Sequence, residues 1–395
     1  MQFKYLSLAA LAATASAQSP LNLTDTLAGN SNLTNLTTYL DFLGAPFQTQ
    51  LANMKNVTLL APSNEAFAAF LNSSMGAAIK LNNTAAIQAV LLYHVLNGTY
   101  NSSAIKSTPS FIPTMLNNNT YSNVTGGQRV EAMTAGSNVT FVSGLLTHSN
   151  VIQANINFAG GVIHVIDTVL TPPQNITTTA LAAGLTSAYG ALVNTSLAGP
   201  VNAASDLTVF VPSNAAFQAI GSALSNLTMA QLAGILQYHV VNSTGSNGNV
   251  GYSSNLKNGT KLTAMNGETL TITLSNGTVF VNSAKVVTPD VLVSNGVVHV
   301  INAVLNPANT TATANPTATM TAVAFAGASS VSNAPFTSGV TAPSSTIGGG
   351  TVGGGSATAA GGASSTSKKA AAAPMRTGAV GAAALFAAGA GYMNV

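Results

Sequence analysis

Residues 160–172 read GGVIHVIDTVLTP, and residues 295–307 read NGVVHVINAVLNP. Each stretch has a Gly, a mostly β-branched run around a central His, and a closing Pro. A β-branched run of this length that ends in Pro predicts a strand buried on both faces. His164 and His299 hold the same place in the two stretches. Two such strands in one chain predict two copies of one domain.

Two further blocks recur in the same order. VTLLAPSNEAFAAF (57–70) matches LTVFVPSNAAFQAI (207–220), and VLLYHVLNGT (90–99) matches ILQYHVVNST (235–244). The offset between the copies shrinks along the chain, so copy one holds 5 extra residues between its first two blocks and 10 between its last two. Insertions of this kind usually fall in surface loops, where they cost little stability.

Taken together, the three blocks resemble the fasciclin (FAS1) domain family over residues 20–308. The TLLAPSNEAF and TVFVPSNAAF segments, the two Tyr-His-Val triplets and the two His-centred strands carry the resemblance. The resemblance implies an α+β fold of two tandem FAS1 domains, each a β-wedge or sandwich of about seven strands with several helices. It also implies an extracellular module of the adhesion type.

The composition changes along the chain and predicts five segments. In order they are a signal peptide (1–17), FAS1 domain 1 (20–173), FAS1 domain 2 (174–308), a disordered Ser/Thr/Gly/Ala-rich stalk (309–367) and a C-terminal GPI-attachment signal (368–395). The leader has the charged start, apolar core and small-residue cleavage site of a secretory signal. Small residues, a short spacer and an apolar end indicate lipid attachment, within Gly361 to Ser367. A weak transmembrane anchor and a plain disordered end are the alternatives.

Charge and cysteine content exclude several classes of protein. The chain has no Cys, so disulfides cannot stabilise its domains. Charged residues make up only 5% of the chain. Without the leader and the C-terminal signal, 7 basic residues face 8 acidic ones. A nucleic-acid surface needs clustered Lys and Arg, so no nucleic-acid partner is expected.

Asn residues followed by x-Ser/Thr, without Pro between, occur throughout both domains. They are Asn22, Asn32, Asn35, Asn56, Asn72, Asn82, Asn97, Asn101, Asn118, Asn123, Asn138, Asn175, Asn194, Asn226, Asn242, Asn258, Asn276 and Asn309. These are acceptor sequences for N-glycosylation, and an occupied site must face solvent. The leader predicts that many are used. An Asn- and Thr-rich chain also forms some by chance.

Local patterns predict the elements around the repeated blocks. Helices are expected at Leu33–Leu43, Ala85–Val95 and Met229–Val240, and a strand at Val57–Ala61, followed by an N-cap at Ser63. In copy two, KLTAM, ETLTITL and TVFVNS are expected to form a β-meander split by two Asn-Gly turns. In copy one the strand and turn pattern of this region is less regular, and the region holds the insertion.

The family-motif residues are expected to belong to the core. They are Tyr93, His94, His164, Tyr238, His239 and His299. Because the helices that carry the Tyr-His pairs are apolar around most of their circumference, His94 and His239 are expected to be buried and bonded to backbone. The alternative is a contribution to a binding surface.

One pair of residues is a candidate adhesion site through the resemblance alone. In the fasciclin family an Asp-Ile-type pair near the last strands is linked to receptor-mediated adhesion. Asp290-Val291 keeps the acid, whereas the matching pair in copy one, Asn155-Ile156, lacks it. The resemblance therefore does not extend a carboxylate-dependent contact to copy one. The alternative for Asp290 is that it closes a turn after Pro289.

No motif for catalysis is found. His164 and Asp167 are three residues apart on a strand, so they point to opposite faces, and copy two has Asn302 in place of the acid. A glycosidase needs two carboxylates across a cleft, and zinc needs closely spaced His and Cys. A nucleophile elbow and a phosphate loop are also missing. We expect no enzyme activity, no cofactor and no metal.

The sequence is compatible with three functions. The favoured one is a cell-surface glycoprotein, held by a lipid anchor, that mediates cell adhesion or organises the matrix or cell wall. Its partners would be cell-surface or matrix proteins or polysaccharides. The second is a passive wall or coat component in which glycan bulk matters. The third is an enzyme or a secreted small-ligand carrier that uses an apolar pocket between sheet and helices, an idea motivated by the buried Tyr-His pairs.

Overall fold

A computed structural model describes residues 20–73, 76–77, 83–136, 138–243, 250–310, 312–317 and 324–341. Several predictions lie outside these residues. They concern the signal peptide, the sequon at Asn82, the attachment region Gly361–Ser367 and the C-terminal signal. Most of the predicted stalk also lies outside them.

The first module has the following helices and strands. They are α1 (Leu23–Ala28), α2 (Thr34–Leu43), α3 (Ala45–Asn53), β1 (Val57–Pro62), α4 (Asn64–Phe70), α5 (Thr84–Tyr93), β2 (Val95–Asn97), β3 (Ser110–Pro113), β4 (Arg129–Ala135), β5 (Asn138–Val142), β6 (His148–Phe158) and β7 (Gly161–Ile166). Short 3₁₀ turns lie at Ser31–Leu33, Ser102–Ala104 and Gly144–Leu146. The predicted first helix and first strand are confirmed.

The second module repeats this order. Its elements are α6 (Ile176–Ala182), α7 (Thr186–Asn194), α8 (Ala198–Ala203), β8 (Leu207–Pro212), α9 (Asn214–Ala219), α10 (Gly221–Leu224), α11 (Met229–Tyr238), β9 (Val240–Asn242), β10 (Lys261–Thr263), β11 (Thr269–Ser275), β12 (Thr278–Val281), β13 (Ala284–Val293) and β14 (Gly296–Ile301). A 3₁₀ turn lies at Ser253–Asn255. The helices α5 and α11 end at the Tyr of each Tyr-His-Val triplet, because the Val already begins a short strand.

Each module contains one seven-stranded sheet, and the two sheets have the same strand order. The orders are β2-β1-β7-β6-β5-β4-β3 and β9-β8-β14-β13-β12-β11-β10. β1 pairs with β7 in parallel, as β8 does with β14, and the other pairs are antiparallel. Single bridges, Leu96 to Thr114 and Val241 to Ala264, join the two edges of each sheet. Each sheet is therefore nearly closed, and the predicted seven-stranded modules are confirmed.

The duplicated strand lies between two apolar cores. In β7, Ile163 and Val165 contact the core under the helices, whereas Ile166 belongs to the core inside the curled sheet. In β14, Val298 and Val300 face the helices and Ile301 faces the sheet interior. Because both faces are covered, the strand has no polar side, which explains its continuous apolar run. Burial of the strand on both faces is confirmed.

The structure contains the predicted cap at Ser63 and one of the two predicted Asn-Gly turns. Ser63 caps α4 by accepting the Ala66 N–H at 3.1 Å, as expected. Asn276 and Gly277 both have positive φ, which a tight hairpin turn requires. At Asn266–Gly267 only the Gly has positive φ. Thr263 of β10 pairs with Thr269 of β11, so the connecting loop is longer than two residues. The two-residue turn predicted there is therefore wrong.

The ten-residue insertion of the first module lies between β3 and β4. Thr114 bonds to Gln128 where Ala264 of the second module bonds to Glu268, so the extra residues fall between these points. This loop covers residues 115–127 and is called the insertion loop below. It contacts the second module.

Candidate functional site: the paired histidines and the contact between the modules

The His of each Tyr-His pair is bonded on both ring nitrogens. Nδ1 of His94 lies 2.7 Å from the Val90 carbonyl oxygen, and the Leu170 N–H donates to Nε2 at 2.9 Å. His239 makes the same bonds to Ile235 and Leu305 at the same distances. Burial lowers the pKa of both imidazoles to about 4, against a smaller opposing effect of the backbone bond. Both are neutral core residues, as expected.

The hydroxyl group of the Tyr in each pair is also hydrogen-bonded within the module. The hydroxyls of Tyr93 and Tyr238 donate to the carbonyl oxygens of Arg129 and Thr269, at 2.9 and 3.0 Å. Both tyrosines have no exposed surface. A small ligand therefore cannot reach the polar atoms of these pairs, and the pocket proposed for the third function is not formed by them.

The His of the duplicated strand ties two other segments to the sheet. Nε2 of His164 lies 2.8 Å from the Tyr100 carbonyl oxygen, and the Asn155 N–H donates to Nδ1 at 3.2 Å. His299 makes the equivalent bonds to the Gly251 carbonyl and the Asp290 N–H, at 2.8 and 3.2 Å. The two histidines therefore have the same surroundings, which is what duplication of one unit requires.

Asn155 and Asp290 occupy the same bulge in β6 and β13. Both have a φ of 60°, in the left-handed region that Asn and Asp tolerate better than most residues. Asn155 accepts the Ser102 N–H at 2.9 Å, and Asp290 accepts the Ser253 N–H at 2.8 Å. The Ser253 hydroxyl also donates to the Asp290 carboxylate. The side chain at this position therefore fastens a 3₁₀ turn to the sheet in each module.

The candidate adhesion pair is buried in the structure. Asp290 is 4% exposed and Val291 is 1% exposed, whereas Asn155 is exposed. The difference arises because the first module covers this face of the second one. A partner reaches neither residue while the modules are docked. The alternative, that Asp290 closes a turn after Pro289, is wrong, because Asp290 lies in the bulge within β13.

The insertion loop makes most of the polar contacts between the modules. The N–H and hydroxyl of Thr125 donate to the two carboxylate oxygens of Asp206, at 2.8 and 2.6 Å. The Asn123 N–H donates to the Ser294 carbonyl at 2.7 Å. Beside the loop, Nε2 of Gln128 donates to the Val293 carbonyl at 3.2 Å. The sequence places this insertion, but the partners of the loop are visible only in the structure.

An apolar contact lies beside these bonds. The rings of Phe111 and Tyr252 stack with centroids 4.2 Å apart. Val124 of the insertion loop and Leu292 belong to the same buried cluster. At a second point, Leu146 of the first module packs against the helix-side core of the second. The two modules therefore form one packed body over these residues.

A carboxyl group of the first module faces this contact. Glu131 pairs with Phe111 across β3 and β4, so the two side chains lie on the same face of the sheet. Glu131 is 6% exposed. Burial raises the pKa of its carboxyl to about 8, and the Asp290 carboxylate adds to the rise. The docked pair therefore favours a protonated Glu131 at neutral pH.

The corresponding face of the first module is exposed among the described residues and carries sequons. The registers of β1–β7 and β8–β14 place Asn56 at the position of Asp206. The 3₁₀ turns place Asn101 at the position of Tyr252. Both Asn residues are exposed and both begin an N-glycosylation sequence. The docking residues of the second module are thus replaced by sugar acceptors on the first.

None of the described sequon asparagines is buried. Half-buried positions are Asn35, Asn123 and Asn175, and the exposed ones are Asn22, Asn32, Asn56, Asn72, Asn97, Asn101, Asn118, Asn138, Asn194, Asn226, Asn242, Asn258, Asn276 and Asn309. At Asn35, Nδ2, the atom that takes the sugar, donates to the Asn64 carbonyl at 3.2 Å. The surface can therefore carry glycans on both modules, and their occupancy stays a prediction.

The geometry around His164 does not form an acid–base pair. The Asp167 carboxylate accepts the Asn150 N–H at 2.8 Å, and the ring of His164 is bonded elsewhere. In the second module Asn302 accepts the equivalent Lys285 N–H at 2.8 Å. Over the described residues, no group of three or more His, Cys, Asp or Glu side chains could hold a metal ion. In the same part of the chain, no helix is long and apolar enough to cross a bilayer.

Comparisons with known proteins agree with this architecture. The Fasciclin domain profile matches residues 31–172 and 183–307. A fasciclin-like arabinogalactan protein from Arthroderma benhamiae is 39% identical over 298 residues, covering 75% of this chain and 69% of that protein. Another, elcF from Phaeosphaeria nodorum, is 31% identical over 257 residues, covering 64% of this chain and 78% of that protein. A solved FAS1 domain pair from the insect cell adhesion molecule fasciclin I covers 69% of this chain and 96% of that chain, with 19% identity and a TM-score of 0.32.

Two similar modules, each built around a strand with a doubly bonded His, define a tandem repeat of one α+β unit. The chain belongs to the fasciclin domain family and carries two FAS1 domains in tandem.

Proposed function

We propose that this chain is a cell-surface or cell-wall glycoprotein that mediates adhesion or organises the extracellular matrix through its docked FAS1 pair. The single observation that carries the proposal is the distribution of sequons: none of those described is buried, and they cover both modules. The names of its relatives, fasciclin-like arabinogalactan proteins, support a glycosylated surface location. Partners would be surface or matrix proteins or polysaccharides.

The exposed face of the first module is the surface that we propose for contact. It carries Asn56 and Asn101 where the second module has its docking residues. Sugars there would prevent another FAS1 module from stacking on it and would present glycans outward. Each contact would be weak, and many copies on one surface would raise the overall strength.

A C-terminal lipid anchor is the proposed means of attachment to the membrane. The support is the sequence pattern of residues 361–395, where small residues precede a spacer and an apolar end. The stalk would hold the FAS1 pair away from the bilayer, on the extracellular face of the plasma membrane or in the wall.

A passive coat is the second candidate function. It is favoured by the low content of charged residues, 5%, together with the dense sequons, since glycan bulk needs no specific partner. The two candidates make opposite predictions for a chimera that keeps the leader, stalk and C-terminal signal but carries an unrelated glycosylated domain.

Attachment assays on cells that display these chains test the proposal. We expect cells with the full chain to attach to matrix-coated surfaces at least several-fold better than cells with the modules deleted. The chimera should behave like the deletion, with surface density matched by an epitope tag in the stalk. Full attachment by the chimera would show that the coat, and not the FAS1 pair, is responsible. Equal attachment by all three would remove the adhesion function.

A further inference from the structure

The beginning of the predicted stalk lies against the second module. Residues 324–341 follow the end of the family match at residue 307, and their composition predicts no fixed structure. In the structure, the Val331 N–H donates to the Gln218 carbonyl at 3.0 Å. The Ser329 N–H donates to the Ser222 hydroxyl at 2.7 Å. The ring of Phe336 packs edge-on against Phe217, with centroids 6.1 Å apart.

Comparison of the two modules explains why this segment fits the second one. Ser63 and Ser213 cap equivalent helices. Asn64 accepts the Asn35 N–H of α2, and Asn214 accepts the Ser187 N–H of α7. These anchor points set the alignment between the modules. Tyr39 thus corresponds to Ala191, and Leu71 corresponds to Gly221.

In the first module these two positions hold large side chains that fill the core from within. Tyr39 stacks on Phe67 with centroids 5.4 Å apart, and Leu71 packs against the same helix-side core. In the second module the small residues leave two gaps. Phe336 contacts Phe217, the counterpart of Phe67, and Val331 lies over Gly221. The added segment supplies the side chains that the second module lacks.

Two glycines allow this close approach. A Cβ on Gly190 would lie 1.8 Å from the Phe336 carbonyl oxygen, and one on Gly221 would lie 2.2 Å from a methyl group of Val331. Neither glycine has a positive φ, so the backbone conformation does not require Gly there. At both places the contact with residues 324–341 leaves no room for a Cβ.

We propose that residues 324–341 are a clasp, an added element of the second module that fixes where the chain leaves it. The binding surface is the helical face around Gly190, Phe217 and Gly221, and its partner is this segment of the same chain. The clasp extends the second module to Thr341, beyond the boundary predicted at residue 308. Resting on the proposed anchor, the clasp would fix the point on the second module from which the chain leads to the membrane.

One substitution made in two versions of the full secreted chain tests the clasp. The test depends on neither an anchor nor a partner. Gly190→Ala is made in the natural chain and in a chain whose residues 324–341 are replaced by a Gly-Ser segment of equal length. In the natural chain we expect the melting temperature of the second module to fall by about 5 °C, because the new methyl group displaces the clasp. In the replaced chain the same substitution should leave it unchanged or raise it, since Ala favours the helix.

Matched controls are Gly199→Ala and Gly234→Ala, which also lie in helices of this module but whose added Cβ would meet nothing within 4 Å. They should have the same effect in both chains. Hydrogen exchange gives a second measurement: the Val331 and Ser329 amides should be protected in the natural chain and lose protection in Gly190→Ala. An equal effect of Gly190→Ala in both chains, or unprotected amides in the natural chain, would overturn the clasp and leave the proposed adhesion function untouched.

Discussion

Replacing His164 by Ala is expected to destabilise the first module by about 3–5 kcal/mol. The side chain is fully buried, so its loss leaves a cavity. It also leaves the Tyr100 carbonyl and the Asn155 N–H without their bonds to the ring. Both costs act in the folded state. Calorimetric unfolding of the secreted chain measures the change.

The duplicate provides a matched comparison. His299→Ala should destabilise the second module by a similar amount, since the ring of His299 makes the equivalent bonds. His148→Ala is the control, because His148 is half-exposed and lies outside the duplicated strand, and its effect should be below about 1 kcal/mol. A small effect of His164→Ala, with a large one for His299→Ala, would mean that the two strands do not play the same role.

Replacing Glu131 by Gln is expected to stabilise the docked pair at alkaline pH. The folded-state pKa of Glu131 is about 8, above the ordinary value of 4.5. Between these two pH values the folded chain binds more protons than the unfolded chain. The free energy of unfolding that Glu131 contributes therefore falls as the pH rises from 4.5 to 8. Gln cannot ionise and removes this loss. At about 1.4 kcal/mol per pKa unit, the gain at pH 9 is expected to approach about 5 kcal/mol.

The measurement is the melting temperature of both chains at pH 5, 7 and 9. The gap between Glu131→Gln and the natural chain should be small at pH 5 and should widen toward pH 9. Glu268→Gln, at an exposed carboxyl of the second module, serves as the control and should show no widening gap. Arg129, Asp206 and Asp290 also lie at this contact and are present in every variant. A gap that does not depend on pH would mean that Glu131 ionises freely in the folded chain.

Acid affects the two Tyr-His pairs in the opposite sense. The pKa values of His94 and His239 are lowered to about 4, so their neutral forms are favoured in the folded state. Stability from these groups is present above the ordinary pKa of 6.5 and is lost as the pH falls toward 4. The pH series above therefore begins at pH 5, where a loss of stability common to both chains is expected.

The modules can be predicted from the sequence because each motif lies within one short block and each block occurs twice. The strand around His164, the cap at Ser63 and the core position of His94 each follow from a pattern within one block. The partners of these residues are backbone groups, which every sequence supplies. Their positions could therefore be inferred without knowing the whole fold.

The contact between the modules could not be predicted in the same way. Thr125, Asp206 and Tyr252 are far apart in the sequence, and each belongs to a loop or a strand end with no distinctive pattern. Their pairing depends on how two complete modules pack. For Asp290 the resemblance suggested a receptor contact, whereas its bonds to Ser253 and its burial by the first module appear only in three dimensions.

A comparison of the two copies in the sequence could have indicated the clasp. Where one copy has Tyr39 and Leu71, the other has Ala191 and Gly221, and two large-to-small changes on one face indicate that something else covers it. The composition of residues 324–341 conceals this, because a few apolar side chains, among them Val331 and Phe336, are dispersed among Ser, Ala and Gly.

The distance between the modules tests most directly whether the FAS1 pair is one body. The natural chain has no Cys, so Ala68→Cys and Ala230→Cys, at exposed positions on α4 and α11, can carry two spin labels. Electron–electron dipolar spectroscopy should give one narrow distance distribution for this chain. Deleting residues 117–126 of the insertion loop should broaden it. A broad distribution in the undeleted chain, no narrower than in the deletion, would contradict a docked pair.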